Sequence, residues 1–122
     1  MNRVNGAVLF HFVRGAIRSS YGEENFRGKH CLLVGDSELA RDFLQRIANL
    51  TDIVVSFQNL SLTRYADAMV ALSGGVLDPY RGQETDIVID FEKEEISVKG
   101  KSFPMGSIGE EPYTQGIHEF YL

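Results

Sequence analysis

The order of apolar and polar residues predicts a βαβ unit near the centre of the chain. A short apolar run at 31–34 stops at Gly35. A helical pattern follows, with apolar side chains on one face at 39, 40, 43, 44, 47 and 50. After a turn at 49–52, residues 53–55 form a second apolar, β-branched run. This order predicts two parallel strands joined by a right-handed helical crossover over residues 29–58. Its first turn should lie at the carboxyl edge of the sheet, where α/β proteins bind ligands.

Further patterns flank this unit on both sides. Residues 4–20 predict an amphipathic helix that ends at Gly22. Residues 62–72 predict another helix, with Ser61 as its N-cap and a stop at 73–75. Residues 76–77 predict a very short strand before a loop at 78–82, and residues 86–91 predict a clear strand. In a competing interpretation, residues 68–72 themselves form a strand.

The last part of the chain has a different pattern. An acidic turn at 92–95, an alternating strand at 96–98 and a turn at 99–101 predict an antiparallel hairpin within 86–103, at the sheet edge. Residues 104–112 predict a loop, and the apolar residues of 116–122 predict a packed terminus. We therefore expect one domain over 1–122: a leading helix and connection at 1–28, a βαβ core at 29–91, and a hairpin and tail at 92–122. The predicted fold is an α/β, Rossmann-like three-layer sandwich with a mostly parallel sheet.

Composition narrows the classes of partner. The chain has 122 residues, 43% of them hydrophobic, which is sufficient for a core. Its net charge of −5 disfavours nucleic acid and anionic membrane surfaces, which require a basic face. The apolar runs are too short to span a bilayer. The single cysteine, Cys31, cannot form an intramolecular disulfide, and no signal peptide is visible, so we expect a cytoplasmic protein.

Several segments resemble the nucleotide-binding domain of the glutamate/leucine/phenylalanine/valine dehydrogenase family. They are 22–29 ahead of the first strand, 33–35 at the turn, Ala40 at the helix–strand contact, and 76–79 with 84–87 downstream. The leading helix resembles the family's helix before its nucleotide-binding sheet, so the resemblance covers roughly residues 4–90. It implies a domain that binds NAD or NADP at the turn after the first strand, with Gly35, Asp36, Ser37, Glu38 and Ala40 as the cofactor-binding residues.

The same segment departs from the family fingerprint G-x-G-x-x-G/A. Gly35 and Ala40 match its first glycine and its last small residue, but Ser37 replaces the glycine that lets the backbone approach a pyrophosphate. Asp36 and Glu38 add two carboxylates where an anion should bind; they would instead suit a Mg²⁺ ion, or simply the first turn of a helix. The family has an acidic residue at the end of the second strand, which binds the ribose. Here Ser56 and Phe57 occupy that region. The family's catalytic lysine and aspartate belong to a separate substrate domain, which we do not expect within these 122 residues.

Other chemical groups have a structural explanation that we prefer. His30 and Cys31 are strand neighbours that should point to opposite faces, so they cannot easily share a metal ion. Neither His11 nor His118 has the spacing of a metal ligand. Cys31 is expected to be a small core residue.

Residues 73–75 could form a phosphate-binding nest but are better explained as a helix stop. An acidic cluster could bind a cation or a basic partner, and is better explained as a solvated turn; its members are Asp86, Asp90, Glu92, Glu94 and Glu95. Arg64, Arg81 and Lys101 could contact an anionic ligand, but single basic residues of this kind are better explained as solvated surface.

Three functions remain open from the sequence. The first is a degenerate, stand-alone NAD(P)-binding-like domain, a small-ligand-binding or regulatory module without catalysis of its own. The second is a structural or protein-interaction domain that has lost nucleotide binding and works as a homo-oligomer or with a protein partner. The third is an oxidoreductase subunit completed by another chain. We assign no catalytic residue and no metal ligand, and we lean towards a protein that is not an enzyme.

Overall fold

A computed structural model describes residues 5–22, 26–48, 50, 53–68, 75–79, 82 and 84–107. The first helix, α1, spans Gly6–Tyr21. The Asn5 side chain caps its start by accepting a hydrogen bond from the Val8 N–H, and Gly22 ends it with φ at +83°. The predicted helix over 4–20, with its stop at Gly22, is therefore confirmed from Gly6 onward.

The predicted βαβ unit is present. It consists of β1 (His30–Val34), α2 (Glu38–Ile47) and β2 (Ile53–Phe57), and its strands pair in parallel with Cys31 opposite Val55. The predicted apolar face of α2 is buried at Ala40, Phe43, Leu44 and Ile47. The helix ends before Leu50, whose N–H donates to the Ile47 carbonyl.

The next helix and strand differ from the prediction at the start of the helix and at the end of the strand. The third helix, α3, spans Leu60–Ala68 and begins two residues early, because Asn59 rather than Ser61 accepts the Leu62 N–H, at 3.1 Å. The following strand, β3, covers Gly75–Pro79 and pairs in parallel with β2, so it is longer than predicted. Residues 78 and 79, expected in a loop, belong to it; proline is tolerated there because β3 is an edge strand. Ala68 is helical, and most of the competing strand lies outside the described residues.

The predicted hairpin is confirmed and extended. It comprises β4 (Ile87–Asp90), β5 (Glu95–Val98) and β6 (Lys101–Pro104), with antiparallel pairing from β4 to β5 and from β5 to β6. A 3₁₀ turn at Met105–Ser107 follows, where a loop was expected. The rest of that loop and the tail at 116–122 lie outside the described residues.

These elements form an α/β fold with three helices and an open, mixed sheet of strand order β3-β2-β1-β4-β5-β6. One sheet face carries the core, in which buried side chains of all three helices meet Cys31, Leu33, Val55, Ile87 and Ile96. A three-layer sandwich also requires a helical layer on the opposite face of the sheet. The described residues show no such layer. The chain leaves β1 towards β2 and later returns to β4 on the other side of β1. The carboxyl ends of β1 and β4 are therefore the topological switch point, the place where open α/β sheets typically bind ligands.

Candidate functional site

The turn after β1 lies where the sequence placed it, and its geometry requires glycine at position 35. Gly35 has φ at +87°, in the left-handed region that residues with a side chain avoid. A Cβ atom there would also lie 2.7 Å from Cγ of Glu92, on the turn that follows β4. The turns after β1 and β4 therefore lie close together at this point, and a larger residue at 35 would require the exposed Glu92 side chain to move.

Ser37 and Ala40 connect this turn to α2. Ser37 has extended backbone and is the N-cap, because its Oγ accepts the Ala40 N–H at 3.0 Å. Either Asp36 or Ser37 was predicted to cap α2, and the structure selects Ser37. Ala40 is completely buried in the core, at the position where the resemblance required a small residue. The Ser37 hydroxyl thus has a structural role in the helix start.

Asp36 is held by two side chains that come from different helices. Nε of Arg41 donates to Oδ1 at 3.0 Å, and Nη2 donates to Oδ2 at 2.8 Å. The Ser61 hydroxyl on α3 donates to Oδ2 at 2.7 Å. The Arg41 hydrogen bonds hold the pKa of Asp36 below its ordinary value, and in return Asp36 raises the pKa of Arg41. The Asp36 side chain is 14% exposed and that of Arg41 is 41% exposed, so solvent reaches the pair mainly at the cation.

The network extends from Arg41 along the surface of α2 and α3. The Arg41 guanidinium carbon lies 4.7 Å from the centre of the Tyr65 ring, a cation–π arrangement. The Gln45 Nε2 donates to the Tyr65 hydroxyl. We name the set Asp36, Arg41, Ser61 and Tyr65 the turn network. It joins the predicted ligand turn to α2 and α3 through side chains alone.

Sequence reasoning missed three members of the turn network. Helical periodicity alone places Arg41 on the polar face of α2 and Tyr65 in the apolar stripe of the next helix, and Ser61 was predicted only as a helix cap. One local signal was available for Arg41: an acid directly before an N-cap can reach a basic side chain in the first turn of the helix. Ser61 and Tyr65 gave no such signal, because their contacts join elements that are distant in sequence.

Acidic groups dominate the rest of this edge. Glu38 is exposed at the start of α2, and Glu92 approaches Gly35. The Asp90 carboxylate is used inside its own turn, where it accepts the N–H groups of Glu92 and Lys93, each at 2.9 Å. This environment suits a phosphate poorly unless a cation joins it, and Arg41 is the cation within the turn network.

The predicted acidic cluster is not one site. Asp86 lies at the amino end of β1, where it accepts the His30 N–H at 2.8 Å and the Tyr21 hydroxyl at 3.3 Å. Asp90 and Glu92 lie at the opposite end of β4. Within the described part of the chain, no group of three His, Cys, Asp or Glu side chains is arranged to hold a metal ion.

The remaining predicted groups have structural surroundings. Cys31 is completely buried in the core, and burial raises the pKa of its thiol to about 12, so it remains protonated at neutral pH. His30 points to the other face, as predicted, and hydrogen-bonds the buried Ser56 hydroxyl. Arg64 is exposed on α3, and Lys101 Nζ lies 5.4 Å from the centre of the Phe103 ring. Gly75 begins β3, whereas 73–74, Arg81 and His118 lie outside the described residues.

Comparison with known proteins adds no relative: the sequence matches no protein-family model, and no curated protein is significantly similar to it. Among the helices that the structure describes, none combines the length and the apolar character needed to cross a bilayer.

Proposed function

We propose that this protein is a small-ligand-binding or regulatory module without catalysis of its own, built as a degenerate, Rossmann-like nucleotide-binding domain. The observation that carries the proposal is the turn after β1. Gly35 gives it the positive φ and the close approach that such turns need, and α2 begins directly behind it. We assign the ligand to residues Gly35, Asp36, Ser37, Glu38 and Ala40.

Arg41 and Ser61 supply the chemistry that this turn can offer an anion. Both already bind a carboxylate, that of Asp36, with hydrogen bonds of 2.7–3.0 Å. A carboxylate or phosphate of a ligand would make the same contacts, so Asp36 acts as an internal competitor. The positive φ of Gly35 supports a nucleotide such as NAD or NADP at this turn, whereas Ser37 and the charge of Asp36, Glu38 and Glu92 oppose its pyrophosphate. We accordingly propose ligand binding that Asp36 weakens, and no hydride transfer.

Thermal unfolding with and without about 1 mM NAD, NADP, ATP or AMP tests this proposal. A ligand at 100 times its dissociation constant stabilises a fold by about 2.7 kcal/mol, which shifts the unfolding midpoint by several degrees. We expect a larger shift for Asp36→Asn than for the wild type, because the substitution removes the competing charge. Asp67→Asn, an exposed change on α3, is the matched control and should behave like the wild type. If no nucleotide shifts the midpoint of the wild type or of Asp36→Asn, the proposal is wrong.

A protein-interaction domain that has lost nucleotide binding is the second candidate. The observation that favours it is Leu60, a large apolar side chain that is 62% exposed at the start of α3, beside Ser61. We propose a second copy of the chain as its partner. The test is sedimentation velocity: the wild type should sediment as a dimer and Leu60→Ser as a monomer, while the exposed change Ser102→Ala should leave the dimer intact. A monomeric wild type would contradict this candidate.

A further inference from the structure

A groove between α1 and α2 lies outside the turn network. The two helices touch closely at Gly6, where a Cβ atom would lie 2.5 Å from Cγ of Asp42. One turn further along, they leave a groove of about 410 Å³, lined by Ala7, Phe10, His11, Gln45 and Arg46. Volumes of roughly 300–1,000 Å³ are typical of sites for small molecules. The groove is therefore large enough for a ligand of one or two rings.

Phe10 gives this groove a flat and rigid apolar wall. Its ring stacks on Phe26, with centroids 5.4 Å apart and planes 6° apart. The His11 ring meets it edge-on at 5.5 Å, and the Arg14 guanidinium carbon lies 5.7 Å from its centre. Neighbours on several sides thus fix the orientation of the ring, so the part of Phe10 that lines the groove is an ordered apolar surface that loses little conformational entropy on binding.

Arg46 gives the groove a cation that can turn to a ligand at little cost. Its Nε lies 3.9 Å from Oδ1 of Asp42, a long contact between two well-exposed side chains. The other Asp42 oxygen accepts the Gly6 N–H at 2.6 Å, so the start of α1 also holds this carboxylate. Exposed pairs of this kind contribute little to stability. Arg46 therefore places a cation at the edge of the groove, and among the described residues only the long contact with Asp42 competes with an anionic group for it.

We propose that this groove binds a small molecule with a flat apolar body and one carboxylate or phosphate group. The body would pack against Phe10 and Ala7, and the anionic group would accept hydrogen bonds from the Arg46 guanidinium. Gln45, held in place by its hydrogen bond to Tyr65, and His11 would border the same group. The Gln45–Tyr65 hydrogen bond links this groove to the turn network, but Asp36 and the ligand proposed for the Gly35 turn do not border it.

Titration of the full chain with phenyl phosphate and with benzoate, followed by two-dimensional NMR of the backbone amides, tests this inference. Inorganic phosphate and uncharged benzyl alcohol provide the two halves of the ligand separately. We expect either aryl anion to shift the amides around Ala7 and Gln45, and to bind at least about tenfold more tightly than either half. The stronger of the two aryl anions identifies the anionic group.

Arg46→Gln should weaken aryl-anion binding about tenfold, because a charge-assisted hydrogen bond contributes about that factor. Lys93→Gln removes the same charge from the turn between β4 and β5 and should leave the affinity unchanged. Asp36→Asn should also leave it unchanged, which separates this site from the proposed nucleotide turn. Equal binding by benzyl alcohol, amide shifts confined to the Gly35 turn, or full affinity in Arg46→Gln would each overturn the inference.

Discussion

A single aspartate ties each end of β1 to the rest of the molecule, but through different kinds of contact. At the amino end, Asp86 accepts the backbone N–H of His30 and the hydroxyl of Tyr21. At the carboxyl end, Asp36 accepts hydrogen bonds from the side chains of Arg41 and Ser61. A bond to the strand backbone fixes the sheet itself, whereas bonds between surface side chains can be exchanged for those of a ligand. The comparison therefore indicates a structural amino end and a carboxyl end that can change partners.

The two ends also differ in their surroundings. The Tyr21 ring lies beneath the Nζ atoms of Lys29 and Lys99, at 4.7 and 4.9 Å from its centre. Burial raises the pKa of Tyr21, and the neighbouring charge of Asp86 raises it further, so its hydroxyl remains a donor at neutral pH. At the other end, Glu92 approaches Gly35 and Arg41 remains partly exposed. The amino end is closed by α1, and the carboxyl end offers exposed charge.

We expect the largest loss of stability from Gly35→Ala. The backbone conformation of the turn after β1 is fixed, even though the side chains at this carboxyl end can change partners. The positive φ costs about 1–2 kcal/mol for alanine. Its Cβ would also displace the exposed Glu92 side chain, which adds about 1 kcal/mol. We expect a total loss of about 2–3 kcal/mol in the free energy of unfolding, measured by chemical denaturation.

Gly100→Ala is the matched control for this substitution. Gly100 has a similar φ of +80°, but a Cβ atom there meets nothing within 4 Å, so only the conformational part should appear. Adding Glu92→Ala to Gly35→Ala should recover part of the loss by removing Cγ of Glu92. An equal loss in Gly35→Ala and Gly100→Ala would show that the close approach of β1 and β4 does not matter.

The next effect in size is expected at the amino end, from Asp86→Ala. It leaves the His30 N–H and the Tyr21 hydroxyl without their carboxylate, and unpaired groups of this kind cost about 1–3 kcal/mol. Asp67→Ala, an exposed change on α3, should stay within about 0.5 kcal/mol of the wild type. A second measurement is the pKa of Tyr21 by NMR. It should fall in Asp86→Ala but stay above the ordinary value, because burial remains its larger cause. A stability loss no larger than that of Asp67→Ala would break the contrast between the two ends.

The sequence predicted the parts of this molecule that depend on local pattern. The Gly35 turn, the buried face of α2 and the leading helix follow from glycine chemistry and from periodicity. Asn59 and Ser61 are both good helix caps, and the local pattern does not choose between them; in the structure Asn59 accepts the Leu62 N–H, while the Ser61 hydroxyl donates to Asp36. The turn network and the groove between α1 and α2 could not be predicted, because each brings together side chains from elements far apart in the chain.

The smallest effect on stability, and the most informative about function, is expected from Asp36→Asn. The pair it breaks is partly exposed, so the unfolding midpoint at neutral pH should fall by no more than about 4 °C. The pKa of Asp36 is lower in the folded protein than in the unfolded chain. Its contribution is therefore fully present above the unfolded value of about 3.9, and is lost as the pH falls through the folded value.

The wild type and Asp36→Asn should therefore differ by a constant amount above about pH 5 and converge below about pH 4, in unfolding curves measured from pH 2.5 to 7. Asp67→Asn, the exposed change on α3, is the control for the loss of one negative charge and is measured over the same pH range. A difference that persists at low pH would mean that the asparagine disturbs packing rather than removing an ion pair. Convergence at low pH, together with stronger nucleotide binding by Asp36→Asn, would connect stability and ligand binding at this turn. The Asp36 carboxylate that contributes this small stability would then also be the group that competes with a ligand for Arg41.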